Sequence, residues 1–505
     1  GLRAKALAAI KTVEWHPSWG DERMTNMIAM RPDWCISRQR VWGVPITVFY
    51  CEGCGEPFTN KAVLERVIAE FREHTADVWY AKTAEELMGP GYVCGKCGGN
   101  AFRKETDILD VWFDSGSSHL AVLTPENKLR WPSDVYLEGG DQYRGWFQSS
   151  LLVGVALKNR APYRECITHG WTLDANGRAM SKSIGNIIEP EEIVSKKGAD
   201  ILRLWVASVD FTEDVRMSEV ILDRLSEAYR KLRNTFRWML GNLGAFDPAN
   251  ESLPGKDLTG VEAWILVRAE ELVRNCLQFY GQYAFHKVYR AAYDFSTTDL
   301  SAVYFDVCKD RLYTAAPNSA ARRSAQTALH RLSLALVRLL APILSFTCEE
   351  VWKNMKAGNA SCESVHISYF PGAAELTEGL SAAQRDEAAD WDRLIPVRDQ
   401  VLKALDAARE EKTIGSALEA AVSLSAGPEL SKLLQKHASE LPAWFIVSQV
   451  DLEEGQEETL RVQVDRARGD KCERCWKFTT DVGSDSEFPT VCAACAAVLR
   501  ELGPA

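Results

Sequence analysis

No apolar run in this sequence reaches the roughly 18 residues that a membrane-spanning helix requires, which leaves no candidate for one. An excess of positive charge is lacking as well: 59 Lys and Arg stand against 70 Asp and Glu, a net charge of −11. General nucleic-acid binders are basic overall, so that class is disfavoured. A local basic patch can still meet a polyanion while the acidic remainder suppresses other partners. Charges interrupt the apolar positions of the first eleven residues, so the continuous apolar core of a secretory signal is missing and a short amphipathic helix fits better. Internal repeats and low-complexity tracts are absent too. What remains, 46% hydrophobic and 26% charged, is the balance expected of a soluble globular chain, and 505 residues predict about three or four domains.

Cysteine, by contrast, is plentiful. Eight of the fourteen form four Cys-x2-Cys pairs: Cys51/Cys54, Cys94/Cys97, Cys472/Cys475 and Cys492/Cys495. In a chain expected to be cytoplasmic this spacing points to metal before disulfides, because two thiolates on one tight turn can face a single tetrahedral zinc. The C-terminal pairs are 16 residues apart, a zinc-ribbon spacing. The N-terminal pairs are 39 apart but sit in glycine-rich knuckles, Cys51-Glu-Gly-Cys54-Gly and Cys94-Gly-Lys-Cys97-Gly-Gly; the alternative is two unrelated loops. Two structural zinc ions are expected. Cys35, Cys166, Cys276, Cys308, Cys348 and Cys362 show no ligand spacing and read as small buried hydrophobes.

Two blocks suggest chemistry. Gly177-Arg-Ala-Met-Ser-Lys-Ser-Ile-Gly-Asn186 follows a strand-like stretch at 165–169 and precedes a helix opening near Pro190. A Ser/Gly-rich loop with one Lys at a strand-to-helix crossing suits a polyphosphate, cradled by N–H groups and hydroxyls; the alternative is a flexible surface turn. Tyr136-Leu-Glu-Gly-Gly-Asp-Gln-Tyr-Arg-Gly-Trp-Phe147 reads as a strand, a glycine turn and a helix. Polar groups at the carboxyl end of a strand sit where open α/β sheets bind ligands. Glu138, Asp141 and Gln142 could there hydrogen-bond a ribose or an ammonium group, and Trp146 could wall an apolar pocket. The competing reading is a helix N-terminus with acidic residues near its positive dipole end.

The run Met180-Ser-Lys-Ser-x-Gly-Asn186 closely resembles the ATP-activating signature loop of class I aminoacyl-tRNA synthetases, with Ala179 where that family usually has Lys. Glu138-Gly-x-Asp-Gln-x-Arg-Gly-Trp-Phe147 resembles the isoleucyl version of the family's strand end. Arg31-Pro-Asp-Trp-Cys-Ile-Ser-Arg-Gln-Arg-Val-Trp-Gly-Val-Pro45 is similar to the block after the editing insertion in the Ile, Val and Leu enzymes, and Asp110-Val-Trp-Phe-Asp-Ser-Gly116 matches a block they share. The resemblance covers essentially the whole chain. It implies activation of isoleucine with ATP and Mg to an adenylate, then transfer to tRNA(Ile), by a cytoplasmic monomer. It places Glu138, Gly139, Asp141 and Gln142 at the adenylate, Trp112 and Trp146 at the amino-acid pocket, and Ser181, Lys182 and Ser183 at the ATP phosphates, with Lys182 stabilising transition-state charge. The family's His-x-Gly-His type motif is not formed by any of the eight histidines (16, 74, 119, 169, 286, 330, 366, 437). The chain also opens on Gly inside a recognisable domain. It is therefore expected to be a C-terminal portion lacking the first Rossmann half and the editing insertion, and inactive alone. A catalytically dead tRNA-binding paralogue is the alternative.

Periodicity supplies the organisation. Val44, Ile46, Val48 and Tyr50 alternate as a strand running into the first knuckle, and from Ile201 the period turns helical. Leu225, Ala228, Tyr229, Leu232, Phe236, Met239, Leu240 and Leu243 form one stripe; Arg230, Arg233 and Arg237 line the opposite side, where a solvated face is the plain reading. Helical spacing returns over 322–340, an acidic, aromatic-poor linker is expected over 375–387, and a helix from Trp391 to Glu410. Strands are expected over 421–424, 444–450 and 459–464, with a helix between the first two. Joined to this pattern, the resemblance implies the fold class: an α/β Rossmann-like catalytic half (1–205, zinc-knuckle insertion at about 50–105), an all-α anticodon-binding bundle (206–375), a small α+β domain (388–466) and a zinc ribbon (467–505). The resemblance makes the arginine stripe the first choice for tRNA phosphate contact.

Overall fold

The computed structural model describes residues 1–355, 362–454 and 459–503. The chain forms two compact units, one comprising 1–173 and 211–215, the other 174–210 and 216–505.

The principal elements of the first unit are α1 (Leu2–Ile10), β1 (Glu14–His16), α2 (Gly20–Ala29), β2 (Phe49–Cys51), β3 (Pro57–Phe58), α3 (Lys61–His74), β4 (Phe102–Lys104), α4 (Val111–Val122), β5 (Ser133–Gly139), α5 (Trp146–Lys158) and β6 (Tyr163–His169). β1 and β5 flank β6 in an all-parallel sheet, with Trp15, Cys166 and Tyr136 side by side across it. A parallel pair needs a long crossover, and α5 supplies it between β5 and β6. Trp15, Tyr136 and Cys166 are buried with Met24, Tyr143, Phe147, Leu151 and Tyr163 in one core against the helices. On the other face Leu137 of the edge strand β5 is 55% exposed. Parallel sheets are ordinarily covered on both faces, so this chain leaves one sheet face partly bare.

Residues 49–105 form an insertion in which β2 pairs with β3 and β4. Its own core contains Phe49, Val63, Val67, Trp79, Leu87 and Met88. The strand expected over 44–50 is shorter than its alternation suggests: Pro45 makes only an isolated bridge, and regular pairing starts at Phe49. A proline cannot donate to a ladder, which limits the run.

The principal elements of the second unit are α6 (Pro190–Lys197), α7 (Ala199–Ser208), α8 (Glu219–Leu243), α9 (Gly260–Gly281), α10 (Ala320–Leu340), α11 (Ser345–Asn354), α12 (Ala382–Glu410), β7 (Ala420–Ala426), α13 (Pro428–Lys436), α14 (Leu441–Phe445), β8 (Gln449–Glu454), β9 (Arg461–Arg466), β10 (Asp470–Lys471), β11 (Phe478–Thr479) and α15 (Ala493–Leu502). The Ser218 side chain caps α8 by accepting from Ile221 N–H, and Leu222, Leu225, Ala228, Leu232, Phe236, Met239 and Leu243 form its buried stripe. Such i, i+3, i+4 spacing gives a helix one core-facing side.

The first unit gives up residues 174–205 because α7 is anchored in the bundle. The N-cap position of α11 is Leu344, which has no capping side chain. Asp200 of α7 serves instead, accepting from Phe346 N–H (3.2 Å), Thr347 N–H (2.8 Å) and Thr347 Oγ1–H (2.6 Å). One turn on, Arg203 donates to the carbonyls of Pro342 and Ile343. A carboxylate at a helix start complements its positive dipole end.

Two other expectations are corrected. Residues 375–387 are no linker: Ser381 and Gln384 form a capping box that opens α12 at Ala382, and Gln384 also donates to the carbonyls of Gly255 and Leu258. The strand expected over 444–450 begins only at Gln449. Pro442 opens helix α14, and Trp444 within it packs on Trp264 and Trp391. Pro is favoured at the first helical positions because its missing N–H costs nothing there. In the α+β domain, β7 lies between parallel β8 and antiparallel β9.

Candidate functional site

In the second unit, the loop that carries Lys182 is held by Asp174. Its Oδ1 accepts from the N–H groups of Asn176 and Arg178, each at 2.9 Å, and its Oδ2 from Arg178 Nε at 3.1 Å and Asn186 Nδ2 at 3.0 Å. Asn186, followed by the Arg178 and Asn176 N–H groups, holds the Asp174 carboxyl well below the usual carboxylate range. Asn186 extends the clamp, accepting from Ser181 N–H at 2.9 Å and donating to the Ala179 carbonyl at 3.2 Å. Gly177 and Gly185 take φ of +77° and +70°, a region that favours glycine, and so turn the chain at both ends of the loop. Within it the Ser181 and Ser183 hydroxyls lie 3.1 Å apart, and Lys182 is exposed with no carboxylate partner among the described residues. Asn186 lay inside the recognised run, but Asp174 did not. An Asp opening an Asp-x-x-Gly turn was its available signal.

In the first unit, β5 delivers Glu138 to the carboxyl end of the sheet. Its Oε1 accepts from Gly139 N–H at 3.0 Å and lies 3.8 Å from His169 Nε2 on the adjacent strand. Gln142 Oε1 accepts from Trp146 N–H at 3.0 Å and so caps α5, whose N-cap residue, Gly145, has no side chain to do it. Gln142 Nε2 donates to Asp141 Oδ2 at 3.3 Å. A Cβ on Gly145 would stand 2.6 Å from Gln142 Oε1 and 2.7 Å from the Trp112 ring, so glycine lets that indole lie against the turn. Trp112 is 42% exposed. Trp146 is part-buried: its ring stacks on Tyr136 at 4.1 Å, and its Nε1–H donates to Ser115 O and Ser118 Oγ. Asp110, a residue given no role from the sequence, accepts from Trp34 Nε1, Arg38 Nη2 and Trp112 N–H, tying the two aromatic-rich blocks together.

The cysteine pairs converge as their spacing predicted. Four sulfurs about 2.3 Å from a tetrahedral zinc lie about 3.8 Å apart. Cys51 and Cys97 sulfurs are 3.5 Å apart, Cys54 and Cys94 3.6 Å, and all four lie within 4.8 Å of one another. Cys472, Cys475, Cys492 and Cys495 are equally compact, with Cys475 and Cys492 at 3.9 Å. One thiol in each set falls to about 6. The Cys97 and Lys96 N–H groups pull down Cys94, and those of Cys475, Cys492 and Arg474 pull down Cys472 against its burial. Metal binds the thiolate form. Both donor sets fit a structural zinc, with no open position for catalysis.

Arg230, Arg233 and Arg237 are all exposed along α8. Glu227 lies 4.0 Å from Arg230 and Glu350 3.7 Å from Arg233, so the stripe is partly neutralised. No helix among the described residues is long and apolar enough to cross a membrane.

Residues 1–218 match the family of class I tRNA synthetases (I, L, M and V), 262–424 the anticodon-binding domain of tRNA ligase, and 469–498 the zinc finger found in FPG and IleRS. Helix α8 falls between the first two matches. The chain is 47% identical to isoleucine--tRNA ligase of Moorella thermoacetica, over 99% of this chain and 55% of that protein. It is 49% identical to that of Geobacter sulfurreducens, over 99% and 54%. It thus spans about half the length of the curated relatives it matches. Among solved structures, a LeuRS of Agrobacterium radiobacter K84, in ternary complex with tRNA and LeuAMS, aligns at a TM-score of 0.50 and 19% identity over 78% of this chain and 44% of that one, a likeness of fold. With residues 1–218 matching the class I family and 99% of the chain aligned to isoleucine--tRNA ligases at 47–49% identity, the chain belongs to the isoleucine branch of the class I tRNA synthetases.

Proposed function

We propose that the protein containing this chain activates isoleucine. The amino-acid carboxylate attacks the α-phosphate of Mg-bound ATP, giving isoleucyl-adenylate and pyrophosphate, and the isoleucyl group then passes to the 3′ end of tRNA(Ile). The observation that carries this reading is the preorganised loop, in which Asp174 and Asn186 fix the backbone around an exposed Lys182 that has no carboxylate partner among the described residues. A preformed cation aimed where phosphate charge develops acts without reorganisation cost at the moment of reaction. Ser181 and Ser183 offer hydroxyls to the same phosphates. Glu138, Gly139, Asp141 and Gln142 receive the adenylate, with Trp112 and Trp146 beside the apolar side chain. The helical second unit binds tRNA, the stripe at Arg230, Arg233 and Arg237 meeting its phosphates. The protein works as a monomer in the cytoplasm.

Isoleucine-dependent ATP–pyrophosphate exchange tests the reading. A protein spanning the relatives' full length is expected to exchange with isoleucine, and the 505-residue chain alone not to. Absence of exchange in the long form would favour an inert RNA-binding paralogue. Elemental analysis of protein purified without chelator should find two zinc ions per chain, and Cys472→Ala should lose one while leaving adenylate formation intact. Zinc-free protein with an unchanged fold would overturn both sites.

A further inference from the structure

Glu387, Asp390 and Trp391 stand at i, i+3 and i+4 near the start of α12 and so share one face. The turn between α13 and α14 comes against that face; in it Glu440 N–H donates to the His437 carbonyl at 2.8 Å. His437 is 1% exposed, and its ring packs on Trp391 with 4.7 Å between centroids. Its Nε2 lies 3.2 Å from Asp390 Oδ2, while its Nδ1 lies 3.3 Å from Glu440 Oε2 and 3.6 Å from Glu387 Oε1.

Three carboxylates thus surround one buried imidazole. Lys436 answers Asp390 at 2.7 Å, but neither Glu387 nor Glu440 pairs with a Lys or Arg among the described residues. A neutral imidazole carries one N–H. With that hydrogen on Asp390, the Nδ1 lone pair and two carboxylate oxygens turn towards one another, an arrangement that is unfavourable in a largely buried place without a cation among them. The spacing suits one. Nitrogen and oxygen ligands about 2.0–2.2 Å from a tetrahedral zinc lie about 3.4 Å apart, and the three ligand atoms here lie within 4.8 Å of one another. A carboxylate on the far nitrogen is the usual support of a metal-bound histidine, fixing its tautomer and orientation. A separate observation points the same way. Trp391 is fully buried and its Nε1 has no hydrogen-bond partner. A Cβ on Gly260 would stand 3.0 Å from that nitrogen and 3.3 Å from Glu387 Oε1, so the unmet N–H lies beside the same carboxylate. A water in the fourth position of a zinc ion would offer it an acceptor.

We propose that Glu387, His437 and Glu440 bind a divalent transition-metal ion of the zinc type, with Asp390 as a positioning residue. The ion pins the first turns of α12 to the α13–α14 turn. It is separate from both cysteine sites and independent of the proposed reaction. One imidazole and two carboxylates hold zinc less firmly than four thiolates, so this ion exchanges readily and is lost on purification while the cysteine sites stay filled.

The 505-residue chain, with both cysteine sites filled and labile metal removed, is titrated with Zn²⁺ by calorimetry. One further ion per chain is expected beyond the two held by cysteine. Glu387→Gln and Glu440→Gln should each weaken its binding at least tenfold, and Asp390→Asn about 10- to 100-fold. Added Zn²⁺ should raise the melting temperature of the wild-type chain and leave that of the two Gln variants unmoved. Both exchanges conserve volume at part-exposed side chains, and melting in the presence of chelator confirms that the variants fold. Absence of a third ion overturns the proposal. So does a third ion bound equally well by wild type and both Gln variants, which would then be adventitious. If Glu440→Gln lowers the melting temperature equally with and without Zn²⁺, and the wild-type chain gains nothing from the metal, the cluster is an ion pair around a doubly protonated ring and the metal assignment is overturned.

Discussion

Over 174–186 the fixed points of the chain are side chains. Asp174 collects four donors, Asn186 bridges to Ser181 and Ala179, and Lys182 stands clear of both. Over 138–146 the fixed points are main-chain. Glu138 and Gly139 sit in register with Thr168 and His169, and the side chain of Gln142 only completes the start of α5. The loop therefore depends on one carboxylate, whereas order at the strand end is shared along a ladder. A polar group on a loop needs a dedicated anchor, because no ladder limits its freedom.

The largest expected effect is at Lys182. In the long enzyme Lys182→Ala should slow isoleucine-dependent exchange by roughly 100- to 1,000-fold, the scale for one lost charge-stabilising group. A change within about threefold would mean that this loop does not meet the phosphates.

Asp174→Asn comes next, because an amide would point donors at the donors of Asn186 and Arg178. It should slow exchange about 10- to 100-fold through misplacement of Lys182, and open the loop to trypsin after Arg178 and Lys182. Wild-type kinetics with a protected loop would break the contrast with the strand end. The pH dependence has a definite sign. The folded carboxyl titrates below its unfolded value of about 3.9, so its contribution is present above that value and fades as pH falls below it. Loop protection should thus be flat from about pH 5 to 8.

Gln142→Ala removes a cap from α5 but leaves the β5–β6 ladder intact. It should cost about 1 kcal/mol in denaturant titration of the first unit. A collapse of that unit would show that the strand end, too, hangs on one side chain. The smallest effect is expected at Ala179→Lys, which should leave exchange unchanged or raise it. A marked loss would mean that the loop has adapted its shape around the alanine.

Much of the site was legible because its signals are short-range. Cys-x2-Cys pairs converge since a tight turn brings their sulfurs together, and the α8 stripe is buried since 3.6 residues make a turn. The capping box Ser381-x-x-Gln384 was equally present, but the acidic composition around it reads as a linker. The strand expected over 444–450 reaches back to Trp444, whose burial against Trp264 and Trp391 in a short helix decides otherwise. Trp146 can be placed near a pocket from its motif, but not stacked on Tyr136.

By itself, then, the sequence determined the four cysteine pairs, the two motif blocks, the helical periodicity and the family, all carried by residues a few positions apart. Only the tertiary structure decided where the compact units divide, that Asp200 caps a helix 147 residues away at Thr347, and that half-buried Arg31 bonds to Gln148. The physical reason is that spacing along the chain sets which groups share a turn or a face, whereas burial and the choice of partner depend on segments that meet only once the chain has folded.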